Sequence, residues 1–166
     1  VAAAAGLLPF PVVQAHCFSS KRSLWLNNPN TGESFDGVYF ENGKYVHDAL
    51  DKINQVMRDY RTGDIHLIDR DLLDILFAIC RKTRCDSPLT IISGYRSPAT
   101  NAWLRKRSKN VARNSLHLIG KAADIRVPGI RTASLKRVAE NLHGGGVGYY
   151  PRSRFVHVDT GPIRYW

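Results

Sequence analysis

Two histidines and one aspartate in the C-terminal part of the chain have the residue types and spacing of a metal site. The run Ser115-Leu-His-Leu-Ile-Gly-Lys-Ala-Ala-Asp124 places His117 and Asp124 seven residues apart, with Gly120 between them. His157 lies in a second short run, Phe155-Val-His-Val-Asp-Thr160. Two imidazoles and one carboxylate are a good ligand set for a catalytic zinc whose fourth position stays open for water. We therefore predict that His117, Asp124 and His157 bind Zn²⁺.

The strands predicted around these residues place the ligands on one face. Side chains two apart on a strand share a face, so His157 and Asp159 point one way and the valines beside them point into the core. Asp124 lies on a predicted strand over 122–127. If the two strands are neighbours, Asp124 and His157 converge on one ion. Gly120 lets the backbone bend between the first two ligands, because it has no Cβ to clash.

The remaining pattern predicts a single α+β domain. Turn-forming residues over 27–32 separate two strand-like runs and predict an N-terminal β-hairpin. Helices are predicted over 46–60, 69–82, 99–107 and 132–142, and further strands over 89–92, 147–150 and 154–158. Acidic residues at 69 and 71 suit a helix start, and Thr132 or Ser134 is the expected cap of the last helix. We expect the hairpin and helices to pack on a small, mainly antiparallel sheet that carries the zinc site.

The N-terminal residues have the composition of an export signal. Residues 1–15, VAAAAGLLPFPVVQA, are uncharged and apolar and end in Val13-Gln14-Ala15. This is typical of the apolar segment and small-residue cleavage site of a secretory signal, although a helical or disordered terminus is the alternative. The run is too short to predict a membrane span. We expect a residual signal over 1–15, a metallopeptidase domain over 16–166, and export by the Sec or the twin-arginine route.

The three cysteines leave two interpretations open. In an oxidising compartment Cys80 and Cys85 could pair and leave Cys17 without a partner. Alternatively, Cys80 is a small core residue at the end of a helix.

The motif resembles a known zinc site. The pattern Ser115-x-His117-x-x-Gly120-x-Ala122-x-Asp124 is similar to that of the D-Ala-D-Ala metallopeptidase superfamily, which also contains the hedgehog signalling domain. Within it, the chain resembles the YcbK-like (MepK-like) murein endopeptidases. The similarity covers nearly the whole mature chain and is strongest from Ile91 to Trp166. The supporting segments are Ser93-Gly-Tyr-Arg96-Ser, Gly145-Gly-Val-Gly-Tyr-Tyr-Pro151, Val156-His157-Val-Asp-Thr-Gly161 and Thr160-Gly-Pro-Ile-Arg-Tyr-Trp166.

This resemblance implies a periplasmic, zinc-dependent hydrolase that cuts peptide bonds in the stem-peptide cross-links of peptidoglycan. It favours cross-link bonds, including those between two diaminopimelate residues, over a dipeptidase or carboxypeptidase role. By position, His117, Asp124 and His157 would be the zinc ligands. Arg96 would hold a carboxylate or carbonyl oxygen of the substrate and stabilise the tetrahedral oxyanion, because a guanidinium is a fixed cation with paired donors.

The general base of the related enzymes cannot be assigned to this chain by position. Several of them have a histidine two residues before the last ligand or a glutamate three before it, whereas this chain has Phe155 and Arg154 there. Asp159 is the first candidate for a general base, and a hydrogen bond that orients a ligand is its alternative role. His143 is the second candidate.

The charge balance favours a polyanionic partner. The chain has 24 Lys and Arg against 14 Asp and Glu, a formal net charge of +10, which nucleic acid, an anionic membrane surface or a carboxylate-bearing wall polymer would all complement. We expect peptidoglycan as partner and a monomer without a stable membrane span. A non-catalytic, zinc-containing wall-binding module of the same fold is the alternative function. Nucleic acid is not expected, because aromatic residues are not interleaved with the basic run at 105–109.

Overall fold

One mixed sheet of eight strands organises the molecule in a computed structural model that describes residues 21–108 and 111–166. The strands are β1 (Lys21–Asn28), β2 (Glu33–Glu41), β3 (Lys44–Tyr45), β4 (Leu89–Ser93), β5 (Ala122–Arg126), β6 (Gly146–Tyr150), β7 (Phe155–Asp159) and β8 (Arg164–Tyr165). Their order is β3-β2-β1-β4-β5-β7-β6-β8. Among the strand pairs of the described residues, only β1/β4 and β6/β8 are parallel. The predicted α+β class, N-terminal hairpin and mainly antiparallel sheet are confirmed.

Three of the four described helices pack on one face of this sheet. The helices are α1 (His47–Val56), α2 (Arg70–Thr83), α3 (Pro98–Arg105) and α4 (Thr132–Glu140). Helix α1 packs on β1 and β2, α2 on β1 and β7, and α4 on β6 and β7. The core between the helices and the sheet is mainly aliphatic, and Ala123, Ile125, Val156 and Val158 belong to it. Because side chains alternate along a strand, Asp124, His157 and Asp159 face the opposite side of β5 and β7, as predicted.

The N-terminal hairpin and α2 follow their sequence signals. Gly32, with φ of +73°, sits in the turn between β1 and β2. Asp69 is the N-cap of α2 and its side chain accepts a hydrogen bond from the Asp71 backbone N–H. Arg84 ends α2 in the left-handed conformation.

Two helix predictions need correction. Helix α1 ends at Val56 rather than near Tyr60, because the buried Asp59 side chain accepts the backbone N–H groups of Arg61 and Ser97 and so folds the chain away from the helix axis. Helix α4 begins at the predicted Thr132, but Arg131 occupies the cap position and makes no side-chain capping bond. The expected capping role of the hydroxyl residues is therefore wrong.

Several expectations concern the N-terminus and the cysteines. The expected signal over 1–15 and Cys17 lie outside the described residues. Cys80 and Cys85 are thiols in this structure, and the Cys85 sulfur lies 3.0 Å from the Thr83 hydroxyl. Among the described residues, no helix is long and apolar enough to cross a membrane.

Candidate metal centre

The first two predicted ligands are placed by a short turn and the strand that follows it. His117 lies in a 3₁₀ turn over Leu116–Ile119, and the Ser115 hydroxyl accepts its backbone N–H. Gly120 ends the turn with φ of +68°, and a Cβ there would lie 2.1 Å from a backbone oxygen. Only glycine fits this position without displacing the backbone. The chain can therefore turn directly into β5, which carries Asp124.

The third predicted ligand comes from the neighbouring strand. Strands β5 and β7 pair antiparallel, with Asp124 directly opposite His157. The expectation that these strands are neighbours is confirmed. Cross-strand partners on one face approach within reach of each other's side chains, and the 3₁₀ turn brings His117 over the same point.

The three side chains form a compact triangle of potential ligand atoms. His117 Nε2 lies 3.2 Å from His157 Nδ1 and 3.3 Å from Asp124 Oδ1. His157 Nδ1 lies 3.0 Å from the same oxygen. Tetrahedral zinc with ligand atoms at about 2.0–2.1 Å holds those atoms roughly 3.3 Å apart. The described His-Asp-His cluster therefore fits zinc in atom type and spacing.

Hydrogen bonds on the far side of each imidazole direct a nitrogen lone pair into the triangle. His117 Nδ1 donates to the Gly94 carbonyl oxygen over 2.6 Å, which leaves Nε2 free to bind an ion. His157 Nε2 donates to Asp159 Oδ2 over 2.9 Å, which leaves Nδ1 free. Fixing the tautomer and ring orientation in this way is what metal-ligating histidines require.

Burial and mutual charge set the protonation of the cluster. Burial lowers the pKa of His117 more than Asp124 raises it. Burial also opposes the charge of His157, but hydrogen bonds to Asp124 and Asp159 outweigh it and raise its pKa to about 9. The pKa of Asp124 lies well below its ordinary value, because the two histidines outweigh its burial. At neutral pH the ion-free cluster therefore carries a proton on His157, which a metal ion must displace.

Asp159 is buried behind the third ligand. It is 1% exposed, and its Oδ1 accepts the backbone N–H groups of Gly146 and Gly161 over 3.1 and 2.9 Å. Arg164 donates to both carboxylate oxygens, over 3.1 and 2.7 Å. Burial would raise the pKa of Asp159, but these bonds and that from His157 lower it to about 2. Asp159 is therefore an ionised acceptor with donors at both oxygens.

Arg96 lies beside the triangle with part of its guanidinium unpartnered. Its Nη2 is 3.4 Å from Asp124 Oδ2 and 3.4 Å from the Ser93 hydroxyl. The residue is only 8% exposed, yet its Nε has no hydrogen-bond partner. Burial lowers the pKa of Arg96, and Asp124 opposes that effect. A buried cation with a spare donor is suited to an oxygen that arrives with a ligand.

A cleft of about 560 Å³ opens above these groups. His117, Asp124, His157, Asp159 and Arg96 all line it. The structure thus brings the three predicted ligands, Arg96 and the first candidate base, Asp159, together at one cleft. His143 is not among the lining residues, and its Nδ1 instead lies 3.0 Å from the Tyr165 hydroxyl.

Several other lining residues, Arg61, Arg164 and Trp166 among them, have no predicted role in the sequence analysis. Arg61 comes from the loop after α1, and Arg164 and Trp166 come from the C-terminal segment. The Trp166 ring lies 5.4 Å from the His157 ring and donates its Nε1–H to Tyr150. The parallel pairing of β8 with β6 brings this segment to the site. The resemblance at 160–166 marks the segment, but nothing in its pattern indicates that pairing.

Comparison with known proteins identifies the family of this chain. A model of the family described as peptidoglycan L,D-endopeptidase MepK matches residues 17–166. The chain belongs to the MepK family. Peptidoglycan L,D-endopeptidase MepK of Escherichia coli (strain K12) is 43% identical over 166 residues, which cover 100% of this chain and 91% of that protein. The protein of that name from Shigella flexneri has the same identity and coverage.

A more distant MepK relative gives the same family. The probable peptidoglycan L,D-endopeptidase MepK of Haemophilus influenzae is 39% identical over 167 residues, covering 100% of this chain and 90% of that protein. The predicted membership among MepK-like murein endopeptidases is therefore confirmed.

Proposed function

We propose that this chain is a zinc-dependent peptidoglycan endopeptidase that hydrolyses peptide bonds in stem-peptide cross-links. The observation that carries the proposal is the triangle of His117 Nε2, Asp124 Oδ1 and His157 Nδ1 at the floor of an open cleft. The relatives' names, peptidoglycan L,D-endopeptidase, supply the substrate class.

The ligand residues and Arg96 have distinct roles in this proposal. His117, Asp124 and His157 hold the ion. Bound zinc supplies Lewis-acid chemistry, activating a water molecule near neutral pH and polarising the scissile carbonyl. Arg96 presents its unpartnered Nε–H and its positive charge to the oxygen on which negative charge develops. Burial strengthens this interaction because little water competes for the guanidinium.

Asp159 acts as a positioning residue in our proposal. Its 1% exposure and the donors at both of its oxygens leave it poorly placed to accept a proton from water. Its bond to Nε2 instead holds His157 in the tautomer that binds metal. Of the two roles that the sequence leaves open, the geometry supports this one.

A non-catalytic wall-binding module is the second candidate function. One observation favours it: among the described residues that line the cleft, the only carboxylates are Asp124 and Asp159 and the only imidazoles are His117 and His157. All four already take part in the cluster. A binding module would keep the ion and the cleft without needing a proton acceptor.

Periplasmic action is part of the same proposal. Peptidoglycan lies outside the cytoplasm, and the net charge of +10 suits an anionic polymer. Attraction of this kind weakens with salt.

Digestion of cross-linked peptidoglycan tests the proposal. The wild type and His117→Ala are incubated with purified cross-linked sacculi, and the released fragments are identified by mass spectrometry. We expect un-cross-linked stem peptides from the wild type, loss of product after chelation, recovery with added zinc, and no product from the variant. Zinc-loaded protein that sediments with sacculi but releases nothing would favour the binding module instead.

A further inference from the structure

Arg61 is a cation in the cleft that the proposed function leaves unused. It lies in the loop after α1 and lines the cleft. Its guanidinium lies 4.2 Å from the Tyr60 ring centroid and 5.4 Å from that of Trp103. Among the described residues, no carboxylate forms an ion pair with it. The aromatic rings support the planar group by cation–π contact and leave its forked N–H donors available to a ligand.

One buried carboxylate fixes Arg61 relative to Arg96. Asp59 is 2% exposed; its Oδ1 accepts the Arg61 backbone N–H over 3.0 Å and its Oδ2 accepts the Ser97 backbone N–H over 2.9 Å. Burial raises the pKa of Asp59, but hydrogen bonds from Thr100 and Ser97 outweigh it and keep the group ionised. The loop is therefore tied directly to the residue after Arg96, so the backbones that carry the two arginines are held together.

A second observation that points to a ligand is the Arg96 side chain, which has a hydrogen-bond donor without a partner. Nε of Arg96 is buried without a partner, and its Nη2 contacts Ser93 and Asp124 at 3.4 Å each. Arg61 and Arg96 line the same cleft. A second cation near a buried one is unfavourable unless a ligand supplies negative charge.

The charged residues that line the cleft also favour a negatively charged ligand. Three arginines, Arg61, Arg96 and Arg164, and two aspartates, Asp124 and Asp159, line it. Arg164 is bonded to Asp159 and Arg96 lies beside Asp124, so Arg61 is the one lining arginine without an acidic partner among the described residues. A divalent ion in the triangle makes the cleft more positive still. This environment selects an anionic substrate group.

We propose that Arg61 is a specificity-determining residue that binds a free carboxylate on the substrate residue beside the scissile bond. This inference rests on the proposed endopeptidase function. Arg96 serves the reacting carbonyl, and Arg61 binds the carboxylate through paired N–H donors, a geometry that a guanidinium offers and an ammonium does not. A substrate in which that carboxyl group is an amide presents no charge and lacks one of the two acceptor oxygens.

Two matched substrates test the inference. One is a cross-linked peptide dimer with a free carboxylate beside the scissile bond, and the other is the same dimer amidated at that group. Steady-state kcat and KM are measured for the wild type, Arg61→Gln, Arg61→Lys and Arg107→Gln. Arg107 is the control, because its guanidinium lies 3.8 Å from the same Trp103 ring but does not line the cleft.

We expect the wild type to prefer the free-carboxylate dimer by about 10- to 100-fold in kcat/KM, mainly through KM, as for a charge-assisted hydrogen bond. Arg61→Gln should lose that preference while hydrolysing the amidated dimer like the wild type. Arg61→Lys should retain part of the preference, and Arg107→Gln all of it. Zinc content should be equal in all four proteins.

Equal loss by Arg61→Gln on both dimers, or a wild type that does not distinguish them, would overturn the inference. If the wild type hydrolyses neither dimer, the endopeptidase proposal fails by itself. Calorimetric binding of the same two dimers then decides the role of Arg61. Tighter binding of the free-carboxylate dimer that is lost in Arg61→Gln supports the inference, and equal binding contradicts it.

Discussion

Replacing Asp159 with asparagine should change the tautomer of His157. An amide has one acceptor oxygen and one donor group, so only one of the two carboxylate positions keeps an acceptor. Three donors meet Oδ1: the Gly146 and Gly161 N–H groups and Arg164 Nη1. Two meet Oδ2: His157 Nε2 and Arg164 Nη2. The asparagine oxygen therefore takes the Oδ1 position, and its NH₂ group faces the imidazole.

This arrangement removes the lone pair that the metal needs. An NH₂ donor opposite His157 Nε2 makes that nitrogen the acceptor and places the ring proton on Nδ1, which faces the triangle. Rotating the amide back would leave two buried backbone N–H groups without acceptors, at about 1–3 kcal/mol each. The Asp159→Asn protein should therefore keep the unfavourable tautomer. We expect zinc affinity to fall about 10- to 100-fold, the usual effect of losing such an orienting partner.

A zinc competition titration with a chromophoric chelator at neutral pH measures this effect. Asp69→Asn is the matched control: Asp69 accepts the Thr160 hydroxyl over 2.9 Å and touches none of the three ligands, so it should bind zinc like the wild type. Activity of Asp159→Asn should recover when zinc is raised to saturation. Unchanged zinc affinity with activity lost at saturating zinc would refute this reasoning and make Asp159 the proton acceptor.

Three further predictions concern the pH response, the turn at the site and the cysteines. Because the pKa of His157 is about 9 without metal, zinc must displace a proton from His157 at lower pH. Zinc titrations across pH should therefore show an apparent affinity that falls about tenfold for each pH unit below 9. An affinity that does not change with pH would contradict this prediction. Gly120 and Gly129 both have positive φ, but of the two only Gly120 has backbone atoms within contact of an added Cβ. In urea unfolding, Gly120→Ala should therefore lower the free energy of unfolding by clearly more than the roughly 1–2 kcal/mol expected for Gly129→Ala. Equal losses in the two variants would argue against the close approach at Gly120. Because the neighbouring Cys80 and Thr83 side chains lower the pKa of Cys85, peptide mapping should show Cys85 alkylated faster than Cys80 at pH 7. The reverse order would count against these contacts.

The residue pattern predicts the ligand-bearing strands well, because alternation on a strand is a local property. His157 and Asp159 share a face, and the flanking valines, Val156 and Val158, enter the core, as the two-residue period requires. The pairing of Asp124 opposite His157 is a tertiary contact that the sequence permits but does not determine. The resemblance to MepK-like proteins supplies what periodicity lacks.

The remaining parts of the site depend on contacts between distant segments. Arg61 reaches the cleft because Asp59 bonds to Ser97, 38 residues further along the chain. This bond also ends the helical pattern of α1 before Tyr60. Arg164 reaches Asp159 because β8 pairs with β6. Local propensity contains no signal for either contact, so the sequence analysis missed both arginines.

Diffraction data collected at the zinc absorption edge from crystals of the zinc-loaded protein test the central claim most directly. We predict one anomalous peak within about 2.0–2.2 Å of His117 Nε2, His157 Nδ1 and an Asp124 carboxylate oxygen. The same peak should be absent from crystals of His117→Ala. A zinc peak elsewhere in the molecule, or none in the wild type, would contradict the account.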